Sequence, residues 1–341
     1  MEREPAHPAP SQRPRLEDVA AVTGLSIRTI SRAVRGDPNV RASTRERVLA
    51  EAARIGFRVN DLAAGLRSTG KLMTTVGVTI GDFSNPFFAP LLRGIHSVAA
   101  EHHYLVLSAD AQNDEGLEKR SIHSLFGHRV GGLIIAPVAQ DLGYLDEEIA
   151  FGESVVFVDS PPAGLEAKVD SVTTTNADST REAVELLLAH GHSRIGYLGH
   201  PRAGVGALER WQGYRDALRG AGVPIDPGLV RDGLITEEDG RRAADSLAQV
   251  ADAATAVFCD NNRLTTGLLL SEAFRGRPVE IVGFDDFPLA TRFGVTTIDS
   301  RPFDVGRVGA ELLFDRIADH AREAKQIVVP AVLRPRSPRL P

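Results

Sequence analysis

The sequence predicts a small all-α head followed by an α/β body of two doubly wound parallel-sheet subdomains. Three observations carry this expectation. Residues 16–36 hold two short apolar-periodic helices around a glycine turn. From residue 74 onward, β-like apolar runs alternate with helical periodicity, as in parallel sheets covered by helices on both faces. The charge is also divided. Residues 13–71 carry twelve basic and six acidic side chains, a net +6, so a whole-chain charge of −6 leaves −12 for the rest. A basic head on an acidic body is expected where only the head meets a polyanion. At 341 residues, 43% hydrophobic and 25% charged, the chain has the size and composition of a soluble protein with more than one domain.

Residues 1–14 are Pro-rich, lack the apolar core of a secretory signal and read as a disordered leader. A first helix follows, with Val19, Ala20 and Val22 able to face inward. Gly24 can take the positive φ of a sharp turn. Ser26 is placed to N-cap a second helix over 27–34, in which Ile30 and Val34 share a face. Arg28, Thr29, Ser31, Arg32 and Arg35 lie on its other face. Guanidinium forks and small hydroxyls are what a helix in a DNA major groove offers to bases and phosphates. Ser43-x-x-Glu46 fits a capping box opening a third helix with apolar Val48, Leu49, Ala52 and Ile55. Taken alone, the pair of helices also fits a basic, solvated corner of a larger α-domain.

The stretches DVAAVTGLS, TISRAVRG and VRASTRERVLAEAARIGF together resemble the DNA-binding headpiece of the LacI/GalR family of bacterial transcription regulators. The resemblance is continuous over 16–66 and extends through most of the remaining chain. It implies a helix-turn-helix domain over 15–59. Ile27, Arg28 and Arg32 would face bases, and Thr29, Ser31 and Asn60 would contact the DNA backbone. It also implies a hinge over 60–71 that becomes helical on DNA, with Leu66 matching the leucine wedged into a central base step. Unstacking such a step costs a few kcal/mol, offset by contacts on bent DNA. Val59 and Ala64 depart from residues common in the family. A plain linker with an incidental leucine is the alternative.

In the body, strands are expected at 75–80, 104–109, 132–136 and 155–158, with helices at 90–103 and 115–126. A second round follows: helix 177–190, strand 194–198, helix 207–221, strand 229–231, helix 239–249, strand 256–259, helix 262–274 and strand 280–284. Residues 172–175 are read as crossing between subdomains and 296–298 as crossing back. Helix 302–322 then completes the first subdomain, and 327–333 forms a strand in the second. The expected body spans 72–334, with a first subdomain of about 72–173 and 298–324 and a second of about 174–297 and 325–334. The family resemblance implies a periplasmic-binding-protein-like core that binds an effector between the subdomains and dimerises. Residues 335–341 form a tail with no heptad repeat.

Ligands of such sheets bind beyond the carboxyl ends of the strands. Phe87, in an SNPFF run similar to the family's, is a candidate platform for a sugar or base, with core packing as the alternative. Asp159 ends a strand and either accepts from hydroxyls or serves a turn. Arg210 matches the effector arginine of the family's R-x-x-G-[YFW] element, and its fork suits vicinal hydroxyls or a carboxylate. Trp211 either lines the pocket or packs at the hinge. Asn261 aligns with the family's ligand amide, while Asn262 replaces a usual aspartate. Asp285, in Gly283-Phe284-Asp285-Asp286, is expected to contact the effector, with Asp286 capping the following turn.

These residues together imply a homodimeric, effector-controlled DNA-binding regulator, a repressor reading a pseudo-palindromic operator on double-stranded DNA. The effector is a sugar or sugar derivative, or alternatively a purine or nucleoside. An enzyme acting in the cleft is the reading from another class. Against it, no metal spacing links His190, His192 and His200, and no G-x-S-x-G elbow occurs. Residues 65–71 approach a phosphate-binding loop, but Leu72 stands where a metal-binding hydroxyl belongs. A secreted binding protein would need a signal peptide and no helix-turn-helix. No metal or cofactor is expected, and no membrane span. The single cysteine, Cys259, suits a reducing cytoplasm.

Overall fold

Glycine at position 24 takes φ +68°, the left-handed turn that separates the first two helices. In this computed structural model, which describes residues 16–34, 37, 39–55, 75–202, 204–250, 253–274 and 277–336, the chain divides into two compact units on either side of the Leu72–Met73 bond. The first unit holds α1 (Leu16–Thr23), α2 (Ile27–Val34) and α3 (Ala42–Arg54). The Ser26 hydroxyl accepts from Thr29 N at 3.2 Å, as an N-cap should. Val19, Ile30, Ala33, Val40, Val48 and Ala52 form the core. One inward assignment fails, Val22 being 43% exposed, and Leu49 of the apolar set in α3 is 46% exposed. The stripe across a three-helix corner is narrower than the apolar pattern suggests. α3 also begins at Ala42, which puts Ser43 inside its first turn and not at the cap.

The second unit contains two six-stranded sheets. The first uses β1 (Thr75–Ile80), β2 (Leu105–Asp110), β3 (Leu133–Ile135), β4 (Val155–Val158), β5 (Asp170–Thr174) and β11 (Gln326–Val329), in the order β11-β5-β4-β3-β1-β2. The second uses β6 (Ile195–Leu198), β7 (Val230–Arg231), β8 (Ala256–Cys259), β9 (Glu280–Phe284), β10 (Thr296–Asp299) and β12 (Val332–Arg334), in the order β12-β10-β9-β8-β6-β7. Every neighbouring pair is parallel except β10 and β12.

Alternate residues of each strand feed cores on opposite sheet faces. Ile134 joins the core under α4 (Phe88–Glu101) and α12 (Pro302–Ala318), whereas Leu133 and Ile135 join the one under α5 (Glu115–Gly127); α6 (Asp146–Ala150) and α11 (Pro288–Phe293) are short. In the second sheet, Phe258 packs under α7 (Asn176–Ala189) and α8 (Val205–Gly220). Val257 and Cys259 pack under α9 (Glu237–Ala248) and α10 (Asn262–Leu270).

One expectation is corrected. The run 327–333 is not a single strand of the second subdomain. It splits at Pro330 into β11, parallel to β5 in the first sheet, and β12, antiparallel to β10 in the second. Proline has no N–H for a ladder, so the apolar run cannot continue through it. Likewise β10 belongs to the second sheet, and the chain returns after it, at residues 300–301. Three passes therefore connect the lobes. Two lie side by side: Ala331 N donates to Thr175 Oγ1 at 3.0 Å, and Thr174 Oγ1 to Val329 O at 2.9 Å.

Candidate functional sites: a strand-end cleft and an exposed helix face

The carboxyl ends of β4, β8 and β9 bring several of the expected residues to one place. Arg210 stands on α8, which lies close enough to α7 that a Cβ at Gly213 would fall 2.2 Å from Ala177 O. Only glycine permits that approach. It sets Arg210 beside Asn176, the first residue after the first pass between lobes. Arg210 Nε donates to Asn176 Oδ1 at 2.9 Å and Nη1 to the Asp260 carbonyl at 2.7 Å. Its guanidinium carbon lies 3.9 Å from the centre of the Phe284 ring, a cation–π contact. Buried Asn176 in turn donates to Glu209 Oε2 at 3.0 Å.

Asp159 and Asp285 both adopt left-handed backbones, φ +72° and +66°. Such strain in non-glycine residues is concentrated at functional sites. Burial pushes the Asp159 carboxyl up to about 6; Arg210 opposes the shift, the Asp285 charge adds to it and His200 opposes it. Burial also raises Asp285, against Arg210 and a 2.6 Å bond from Ser300 Oγ. Asp159 of the first lobe therefore shares an electrostatic environment with Arg210, Asp285 and His200 of the second.

Other expected residues stand differently. Phe87 is 7% exposed and packs edge-to-face on Phe88 at 5.1 Å within the first core. As placed it offers no open ring face, so the core alternative holds. Asn261 caps α10, its Oδ1 accepting from Leu264 N at 2.8 Å, while its amide nitrogen contacts the His200 imidazole. Asp286 accepts from Phe287 N at 3.1 Å, as a turn cap would, but also holds Arg336 and Thr297. Trp211 packs edge-to-face on Tyr197 at 5.0 Å, with the Arg202 guanidinium 3.8 Å above its ring.

Sequence reasoning missed a clasp across the cleft. Arg263 Nη1 meets Asp82 Oδ2 at 2.5 Å, and Asn262 Nδ2 donates to Asn85 Oδ1 at 2.9 Å. Asp82 also accepts from Ser84 N and Oγ, and the Asp-x-Ser turn was the available signal. Asp260 was missed as well. Its side chain is wholly buried, with Oδ2 accepting from His200 N at 2.8 Å and Tyr197 OH at 3.3 Å. Oδ1 has no hydrogen-bond partner among the described residues.

In the first unit, Ile27, Arg28 and Arg32 on α2 are exposed, and Thr29 and Ser31 are half-buried. Arg32 Nε is paired with Asp37 Oδ2 at 2.8 Å, and this bond with those from Asn39 holds the Asp37 carboxyl far below its ordinary range. Asn60 and Leu66 lie outside the described residues.

A head with a basic recognition helix and a body with a strand-end cleft define a DNA-binding transcriptional regulator with a ligand-sensing core. Residues 15–60 match the family model described as bacterial regulatory proteins, lacI family, and residues 73–333 match that of periplasmic binding proteins and sugar binding domain of LacI family. The chain belongs to the LacI family. It is similar to catabolite control protein A of Priestia megaterium, 31% identical over 305 residues covering 87% of this chain and 90% of that protein. Among solved structures, the CelR–cellobiose complex matches 96% of this chain and 100% of its own at 28% identity and TM-score 0.71. The lac repressor dimer bound to operator and the anti-inducer ONPF shares the fold, with TM-score 0.81 at 24% identity over 97% and 100% of the two chains. No helix among the described residues is long and apolar enough to cross a membrane.

Proposed function

We propose that the protein is a homodimeric repressor that reads a pseudo-palindromic operator through α2 and releases or grips it according to a sugar or sugar derivative bound in the cleft. The carrying observation is that Asp159 follows the end of β4 in one lobe and Asp285 the end of β9 in the other, while Arg210 reaches the end of β8, donating to the Asp260 carbonyl at 2.7 Å. The relative solved with cellobiose and the one solved as a dimer on operator DNA support this reading. Ile27, Arg28 and Arg32 contact bases, Thr29, Ser31 and Asn60 the backbone, and Leu66 wedges a base step. Asp159, Arg210, Asn261 and Asp285 hold the effector. The protein acts by binding and not by catalysis.

Control follows from linkage. A ligand that binds the closed cleft better than the open one shifts the population of the closed form, and DNA affinity changes only by that difference. The test begins with DNA fragments selected by the protein from random duplex. Thermal-shift screening against sugars and nucleosides follows, and each hit is then added to the selected complex. A hit that changes DNA affinity, and that fails to do so with Arg210→Ala, supports the reading. DNA binding no tighter than to random duplex, or unresponsive to every hit, refutes it.

A further inference from the structure

The charged groups at the cleft sort by partner. Arg263 is held by Asp82, and Arg202 is held by Asp232 at 2.7 Å. Arg210 remains, with Nε and Nη1 already donating to Asn176 and the Asp260 carbonyl. Against it stand three carboxylates from three different strand ends: Asp159, Asp260 and Asp285. Asp285 has one hydroxyl donor, Ser300. Asp260 Oδ1 is buried without a hydrogen-bond partner among the described residues. His200 Nδ1, 3.6 Å from that oxygen, lies beyond hydrogen-bond range. Ionised carboxylates only accept. A buried acceptor left unmade is costly, so Asp260 Oδ1 calls for a donor, and the three carboxylates outnumber the one guanidinium they face.

We propose that the cleft selects an uncharged, hydroxyl-rich ligand over the phosphate ester of the same molecule, with Asp260 Oδ1 as an anchoring acceptor. This rests on the effector-sensing reading above and specifies the chemistry of its ligand. Hydroxyls of such a ligand donate to Asp260, Asp159 and Asp285, while the remaining Arg210 N–H groups, one on Nη1 and two on Nη2, reach its oxygens. A phosphate brings acceptors where acceptors already crowd, and places like charge against like. A site built to hydrogen-bond a hydroxyl discriminates strongly, because its polar groups are otherwise stranded. Asp260 is thus a specificity determinant outside the set the sequence singled out.

The test uses the full chain with matched pairs: ribose and ribose 5-phosphate, glucose and glucose 6-phosphate, fructose and fructose 6-phosphate, followed by calorimetry on each binder. The neutral member of a binding pair is expected to bind about tenfold or more tightly than its ester. Asp260→Asn turns an acceptor into a donor and is expected to narrow or invert that ratio. Its ligand-free melting temperature reports folding separately, and Asp260→Ala, which offers neither group, is expected to weaken the neutral ligand without favouring the ester. An ester that binds as well as its parent overturns the proposal while leaving effector sensing intact. So does a ratio unmoved by Asp260→Asn. If no pair shifts the melting temperature or the DNA affinity, the sugar-sensing reading fails along with it.

Discussion

Replacing Asp170 with asparagine should destabilise the first lobe more than any exposed charge change. Asp170 sits at the start of β5 with no exposed side-chain surface. Arg316 Nε reaches its Oδ2 at 2.9 Å, Arg322 reaches both oxygens at 2.8 Å, and Lys325 N donates to Oδ1 at 2.8 Å. The two arginine side chains are only 10% and 13% exposed. The amide keeps the shape of the carboxylate but removes the charge between two guanidinium groups and turns one acceptor into a donor facing them. Breaking a buried pair by removing one partner costs about 3–5 kcal/mol. For a unit of this size each kcal/mol lowers the melting temperature by about 2–4 °C, so a loss of roughly 6–20 °C is expected. Thermal unfolding followed by far-UV circular dichroism measures the shift, and urea unfolding the free energy. Asp178→Asn, which breaks the pair with Arg181 at 70% and 49% exposure, is the control and should change stability by less than about 0.5 kcal/mol. A cost below about 1 kcal/mol for Asp170→Asn would show that the network does not hold the ends of α12 and β11 to β5.

The remaining predictions concern function. Arg263→Gln should loosen the cleft by about 1.5–3 kcal/mol, the scale of a hydrogen bond to a charged group. Small-angle scattering should then show a larger radius of gyration, the swapped pair Asp82→Arg with Arg263→Asp should restore it, and unchanged scattering in the single variant refutes the clasp. Asp159 has a folded value raised from 3.8 to about 6, so its contribution to stability is full below the lower value and is lost as pH rises through the upper. Asp159→Asn should therefore melt higher than the parent at about pH 7.5, and the difference should shrink toward about pH 4; a constant difference refutes the assignment. Arg28→Ala should relax specificity at one position of each half-site, with a loss of about 1–3 kcal/mol there, whereas equal weakening on all sequences would mean a phosphate contact. Asp37→Ala, which releases Arg32, should strengthen DNA binding and steepen its salt dependence, and a flat response would show that Arg32 stays off the DNA.

The parts of this molecule legible from sequence are those governed by short-range rules. Gly24 and Ser26 act locally, and the helix-turn-helix follows from them. The alternation of β and α likewise located β1 to β4 and β6 to β9 to within a few residues, whereas β5 and β10, read as crossings between subdomains, are sheet strands that the chain leaves only at their ends. Asp285 was legible because a strand end and a family motif coincide there, and Arg210, inside α8, because of its motif alone. What escaped depends on partners distant in the chain. Arg263 and Asp82 are 181 residues apart, and nothing local marks either as the other's counterpart. Nothing local singles out Asp260, since its meaning comes from His200 and Tyr197, which are packed around it. Phe87 carried an aromatic's promise of stacking, but the helix it precedes turns it into the core. The strand assigned as 327–333 failed because hydrophobicity persists across Pro330 while the hydrogen-bond ladder does not.

Trp211 has a practical consequence. It is the only tryptophan in the chain and lies next to Arg210 on α8, beneath the Arg202 guanidinium. Its indole emission therefore reports from a single place, one residue from the proposed ligand contact. Any rearrangement that lifts Arg202 from the ring or rotates α8 will change quenching and emission wavelength. Occupancy of the cleft can be followed optically in the unlabelled protein, in the same cuvette in which DNA is added.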